Sequence, residues 1–127
     1  MKKIETCNAP RAIGPYSQGM ISGKLVFTSG QIPLDPATGA LVGDTIEAQS
    51  EQALKNLQAV LEAGGASLST VIKTTCFLSD MGNFAAFNAV YARFFTGDCP
   101  ARSCVAVKTL PKNVLVEVEA IAETSIC

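Results

Sequence analysis

Residues 100–121, Pro100-Ala101-Arg102-Ser103-Cys104-Val105-Ala106-Val107-Lys108-Thr109-Leu110-Pro111-Lys112-Asn113-Val114-Leu115-Val116-Glu117-Val118-Glu119-Ala120-Ile121, contain two strand-like runs on either side of a Leu-Pro-Lys-Asn break. The period of two along a strand sends Arg102, Cys104 and Ala106 to one face and Ser103, Val105 and Val107 to the other. The second run divides into an apolar face, Val114, Val116, Val118 and Ala120, and a mixed face, Leu115, Glu117, Glu119 and Ile121. A permanent cation and a carboxylate with apolar neighbours therefore lie inside strands of the kind that normally face a core. Two readings stand for Arg102 and Glu117. Charged residues often blunt a solvated sheet edge. Alternatively, the planar guanidinium fork grips a carboxylate or phosphate in two bonds, and the carboxylate in an apolar wall serves as a base.

Upstream of this stretch the pattern alternates between strands and helices. Lys2 to Thr6 reads as a short strand ended by Asn8-Ala9-Pro10, and Gly14-Pro15 turns the chain so that Tyr16 sits on a loop entering a strand near Gln18 to Ile21. Tyr16 is a loop anchor or a pocket wall. Gly23-Lys24 connects to a strand over Leu25 to Ser29, which stops at Gly30. These three strands form an antiparallel unit. The Ser29-Gly30 pair is either a plain strand terminus or a place where backbone N–H groups meet a ligand. Asp35-Pro36 and Thr38-Gly39 form a surface turn.

Asp44-Thr45-Ile46-Glu47 resembles a capping box, and Ile46, Leu54, Leu57, Val60 and Leu61 recur at helical spacing up to Gly64-Gly65. Ser69 to Leu78 is rich in branched residues and reads as a strand, with Cys76 a core thiol. Asn83 can cap a second helix in which Phe84, Phe87, Tyr91, Phe94 and Phe95 form an aromatic stripe that anchors the core. Asn88 stands on the margin of that stripe, either bonded structurally, which its position favours, or turned to a pocket. The expected order is β-β-β-α-β-α-β-β: one domain, residues 1–127, built as an α+β sandwich with both helices on one face of the sheet.

Composition excludes several classes of chemistry. The chain has 127 residues, 48% of them hydrophobic and 17% charged, enough for one real core. A net charge of −1 leaves no electrostatic footprint for nucleic acid or an anionic membrane. No apolar run nears the roughly 20 residues needed to span a bilayer. The five cysteines, Cys7, Cys76, Cys99, Cys104 and Cys127, are scattered and form no CxxC pair, which points to a reducing cytoplasm and to no zinc site. There is no histidine, so Ser-His and Cys-His nucleophile pairs and imidazole acid–base catalysis are excluded.

Four motifs carry a family resemblance: Ala12-Ile13-Gly14-Pro15-Tyr16, Phe27-Thr28-Ser29-Gly30-Gln31-Ile32-Pro33, Pro100-Ala101-Arg102-Ser103-Cys104-Val105 and Glu117-Val118-Glu119-Ala120-Ile121-Ala122. In this order and spacing, from Asn8 to Ala122, the chain resembles the Rid family of reactive intermediate deaminases, also called YjgF-like proteins. The resemblance implies a chorismate-mutase-like fold, a mixed sheet with two helices on one face, assembled as a homotrimer with three equivalent clefts between subunits. It implies hydrolysis of 2-imino acids, such as 2-aminoacrylate/2-iminopropionate and 2-iminobutyrate, to 2-keto acids and ammonia. The substrates are released as enamines by pyridoxal-phosphate-dependent dehydratases. No metal or cofactor is implied.

Carried over by position, Arg102 matches the arginine that holds the substrate carboxylate, and Glu117 the acid that places the attacking water. Cys104 matches a cleft residue whose backbone contacts the imine or keto end, while Tyr16, Ser29, Gly30 and Asn88 match the rest of the wall. With no histidine to activate it, the Cys104 thiol is not expected to act as a nucleophile. The link Thr96-Gly97-Asp98-Cys99 departs from the family in being short and in placing Cys99 where an aromatic residue often precedes the proline, which bears on substrate size. Two other readings stay open: an endoribonuclease, as members of the family have been described, against which the acidic balance and missing histidine argue, and a non-catalytic module, a keto-acid sensor or partner-regulating trimer using the same Arg102 cleft, which Glu117 disfavours.

Overall fold

Val116, Val118, Ala120 and Ala122 alternate with Glu117, Glu119 and Ile121, and burying the small apolar set on one side places this run in the middle of a sheet. A computed structural model describes residues 1–124; Cys127 lies outside them. Along the chain come β1 (Lys2–Ile4), β2 (Gly19–Ser22), β3 (Leu25–Thr28), α1 (Ile46–Ala63), β4 (Val71–Leu78), α2 (Phe84–Phe94), β5 (Ala101–Ala106) and β6 (Val116–Glu123). The six strands lie in the order β1-β2-β3-β6-β4-β5. Every pairing is antiparallel except that of β4 with β5, so the sheet is mixed and the fold α+β, as expected.

Register settles which residues share a face. Thr74, Cys76 and Leu78 pair with Ala120, Val118 and Val116 on one side and with Arg102, Cys104 and Ala106 on the other. Leu54, Leu57, Val60 and Leu61 of α1 pack here with Val26, Leu78, Phe87, Val116 and Val118, all buried. Each such leucine contributes about 1.5–3 kcal/mol by leaving water. The parallel β4–β5 pair requires a crossover, and α2 is that crossover; it therefore runs beside the face of β5 that carries Arg102.

Several local expectations are corrected. The cap of α1 is Thr45, whose Oγ1 accepts from Ala48 N–H at 3.2 Å, one position after the expected Asp44. Asn83 precedes α2 but its side chain makes no cap bond; Asp80 instead accepts from Gly82 N–H at 2.7 Å and closes a 3-10 turn ahead of the helix. The strand expected from Ser69 begins at Val71, because Leu68–Thr70 forms a 3-10 turn in which Ser67 and Thr70 bond each other reciprocally. The aromatic helix is also not the main anchor: α1 buries nine residues and α2 three, since α1 crosses the middle of the sheet and α2 lies toward its edge.

Candidate functional site

Arg102 lies on the helix face of β5, the last strand of the sheet, with α2 beside it. Its Nη1 donates to Asn88 Oδ1 at 2.8 Å. The guanidinium carbon stands 4.8 Å from the centroid of the Tyr91 ring and 5.6 Å from that of Phe84. Tyr91 is itself fixed: its hydroxyl shares a 2.8 Å hydrogen bond with Thr74 Oγ1 inside the core, and its ring stacks on Phe95 at 4.5 Å. Two rings and an amide thus orient the fork while leaving donors free for an anion. The Asn88 amide oxygen is thus engaged by the Arg102 guanidinium, which ties the helix to the edge strand. Phe84 and Tyr91 were legible only as core stripe, since nothing in a helical period tells which member meets a cation across the sheet edge.

Cys104 points the same way as Arg102 and is half-buried beside Cys76. Burial pushes the Cys104 thiol up, although the Arg102 charge opposes this, and burial together with Cys104 pushes Cys76 up to about 12. Both thiols therefore stay protonated and poorly nucleophilic. The main chain is more useful. Val107 N–H donates to Leu78 O at 2.9 Å, and N–H groups alternate sides along a strand, so the N–H and C=O of Cys104 turn to the open edge of the sheet.

Glu117 lies on the opposite, helix-free face, paired with Phe77. Its carboxyl has no hydrogen bond or ion pair among the described residues, and burial, aided by the nearby charge of Glu119, pushes it above the ordinary glutamate range. Glycine at position 30 is a requirement of space, because a Cβ there would overlap the Glu117 carboxylate. What holds that loop against β6 is a reciprocal bridge: Gln31 N–H donates to Val118 O at 2.7 Å and Val118 N–H to Gln31 O at 3.1 Å. Gln31 carries no sequence signal for this role; a backbone bridge is indifferent to side chain.

Ser29 donates through Oγ to Ser17 O at 2.5 Å, and its N–H bonds Gln18 O at 2.9 Å, tying the end of β3 to the loop that carries Tyr16. The Gln18 amide, buried, donates to the carbonyls of Thr6, Ala9 and Pro10, which pins the N-terminal loop. Tyr16 and Gly30 line a common hollow of about 260 Å³, with Gln31 and Pro111. A larger hollow of about 610 Å³ beside the N-terminal strand includes Tyr16 but neither Arg102 nor Glu117, so chemistry rather than size locates the site. The described residues contain no group of three or more His, Cys, Asp or Glu that could hold a metal ion. No helix among them is long and apolar enough to cross a membrane.

The structure thus gathers the candidates into two groups: Arg102, Asn88 and Cys104 at the β5 edge, and Glu117, Gly30, Ser29 and Tyr16 near the ends of β3 and β6. A small molecule can bridge Arg102 and Glu117 only if a second surface brings them together, because within one chain the sheet separates them.

Known proteins match this chain along nearly its whole length. A family model described as Endoribonuclease L-PSP matches residues 6–124. A 2-iminobutanoate/2-iminopropanoate deaminase of Salmonella typhimurium is 52% identical over 124 residues, 95% of this chain and 96% of its own. A candidate regulator of Lactococcus lactis, AldR, is 54% identical over 123 residues, 97% of this chain and 98% of its own. Among solved structures, Escherichia coli TdcF with bound serine superposes with a TM-score of 0.94 at 48% identity, over 98% of this chain and 100% of its own. With the fold, the motifs and the whole-length matches in agreement, the chain belongs to the Endoribonuclease L-PSP family, the family of the YjgF-like Rid proteins that its motifs resemble.

Proposed function

We propose that the protein hydrolyses small 2-imino acids and their enamine tautomers, among them 2-iminopropionate and 2-iminobutyrate, to 2-keto acids and ammonia. The observation that carries this reading is Glu117: a half-buried carboxyl without a hydrogen-bonding partner among the described residues, held against a glycine that only a missing side chain admits. A group left so poorly solvated is suited to exchanging a proton with a water. Support comes from the Salmonella relative's name and from the serine bound to TdcF, a ligand with the α-carboxylate that a guanidinium fork recognises.

In the proposed reaction Arg102 holds the substrate carboxylate in two parallel bonds, which aligns C2 with a water at Glu117. The water oxygen bonds to C2 as Glu117 takes its proton and the C=N electrons move to nitrogen, giving a carbinolamine. Glu117 returns that proton to nitrogen, then takes the hydroxyl proton and passes it to nitrogen as well, so that the oxygen lone pair forms the keto C=O as the C–N bond breaks and ammonia leaves. The imine carbon is already electrophilic, so positioning and proton transfer suffice without a covalent nucleophile. The outward N–H of Cys104 is placed to bond the developing oxygen or nitrogen.

Because Arg102 and Glu117 lie on opposite faces of the sheet, the cleft is completed by a second copy, in a homotrimer with a site at each of its subunit interfaces. Pyridoxal-phosphate-dependent dehydratases, which release enamines from hydroxy amino acids, are the natural suppliers. The four described cysteines are free thiols, in keeping with a reducing cytoplasm.

The test is steady-state hydrolysis of an imino acid generated in situ, alongside thermal unfolding with and without 2-ketobutyrate. Arg102→Ala is expected to lower kcat/KM about 30-fold or more, and Arg102→Lys to fail to restore it, since lysine keeps the charge but not the fork. Wild-type turnover in Arg102→Ala, or undiminished stabilisation by the keto acid, would overturn the reading. Cleavage of RNA that survives Arg102→Ala would favour instead the nuclease activity after which the family is described.

A further inference from the structure

Beside Gly30, the hollow that Tyr16 shares carries two charges that the proposed reaction does not use. Arg11 and Lys112 both line it, with Ile13 and Ile32 among its apolar walls, and no acidic residue lines it. Neither side chain forms a hydrogen bond or ion pair among the described residues, in which Lys3–Glu5 and Arg93–Glu51 are the ion pairs formed. Unpaired cations on a surface are common, but these two stand on unusually determined backbone. Arg11 directly follows Pro10, whose carbonyl accepts from the buried Gln18 amide at 2.8 Å. Lys112 and Asn113 both adopt left-handed backbone, with φ of 57° and 55°, which non-glycine residues seldom hold and which is concentrated at functional sites. The turn is closed by Asn113 N–H to Leu110 O at 3.0 Å and Val114 N–H to Pro111 O at 3.3 Å.

Size points the same way. About 260 Å³ is room for several waters at roughly 30 Å³ each, far more than the methyl or ethyl group of the simplest imino acids fills. The hollow and the Glu117 carboxyl adjoin at Gly30, which lines the one and on which a Cβ would overlap the other.

We infer that Arg11 and Lys112 select for imino acids bearing a second carboxylate, so that 2-imino dicarboxylic acids are preferred substrates and the corresponding 2-oxo dicarboxylates preferred products. This rests on the imine-hydrolysis reading and deepens it: Arg102 takes the α-carboxylate, and the Arg11/Lys112 pair the distal one. The distal contact is exposed and so screened by salt.

Calorimetric titration of the full-length protein with 2-oxoglutarate and with 2-oxopentanoate tests it, since the two have the same carbon chain and differ in the distal carboxylate. The wild type is expected to prefer 2-oxoglutarate by about fivefold or more at low salt, the scale of one or two exposed charge pairs. That preference should shrink near about 0.5 M salt. In the double variant Arg11→Gln, Lys112→Asn the ratio of the two Kd values should fall to about one, each single variant lying between; asparagine is chosen because it tolerates left-handed backbone. A ratio cancels any general weakening of the site. Equal affinity in the wild type, or a preference that survives in the double variant, overturns the inference. If 2-oxopentanoate binds and monocarboxylic imines are hydrolysed without a dicarboxylate preference, only this inference fails; if neither keto acid binds and no imine is hydrolysed, the functional reading fails with it.

Discussion

Glu117 and Gly30 are coupled by contact, and each makes the other's role testable. Glu117 holds its proton to a higher pH when folded than when unfolded, because burial and Glu119 disfavour the charge. Between the ordinary glutamate range and the raised one, the folded state binds a proton that the unfolded chain has lost. Stability from this group is therefore full in acid and falls as pH rises through the raised value. Glu117→Gln removes the penalty: it should lower imine-hydrolysis kcat by about 100-fold while leaving Tm at pH 7 equal to or above wild type, with no such advantage in acid. A parallel loss of activity and stability at neutral pH would make Glu117 structural. Gly30→Ala puts a methyl group where the carboxylate stands. Displacing the carboxylate by an ångström is expected to lower kcat about 100-fold in a protein that still unfolds cooperatively; wild-type turnover would show that the contact is incidental.

Among the elements, α2 does more than close the β4–β5 crossover. Its Tyr91 ring underlies the Arg102 guanidinium and is locked by the bond to Thr74, so helix, core strand and edge strand jointly aim one cation. Tyr91→Leu should raise KM for the imino acid about three- to tenfold with a smaller change in kcat, the scale of a cation–π contact. Tyr91→Phe, which keeps the ring, should restore most of that. A fall in kcat alone, or equal behaviour of the two variants, would assign Tyr91 to packing only.

At the scale of the whole molecule, the helix-free face of the sheet is the unresolved surface of a single chain. It exposes Phe27 and Val105, at 39% and 48%, and pairs them with half-buried Ile121 and Phe77 around Glu117 and Glu119. Apolar strand residues left facing water are expected to be covered by like copies in a closed ring. Sedimentation at micromolar concentration should give three copies of the 13.3 kDa chain. The sharper prediction concerns complementation. If each cleft takes Arg102 from one copy and Glu117 from the next, unfolding and refolding inactive Arg102→Ala and Glu117→Gln together should regenerate about a quarter of wild-type activity, the chance that both intact groups meet. No recovery from a properly assembled mixture would mean that one chain supplies both.

By itself the sequence determined the element order, the buried face of Val116, Val118 and Ala120, the α1 stripe and the membership of Arg102 and Cys104 in one face, because periods of 2 and 3.6 are local properties. Its motifs also singled out Glu117 and Gly30. It left the cap of α1 one residue off and gave α2 too much of the core, because neighbouring cap candidates and rival apolar stripes differ only in what they meet. Only the tertiary structure decided that Arg102 and Glu117 occupy opposite faces, since alternation relates residues within a strand, and relating two strands takes the parallel register of β4 with β5 and the antiparallel register of β4 with β6. The stacking of Arg102 on Tyr91 and the overlap that keeps position 30 a glycine are likewise contacts between segments distant in the chain, created when the sheet closes.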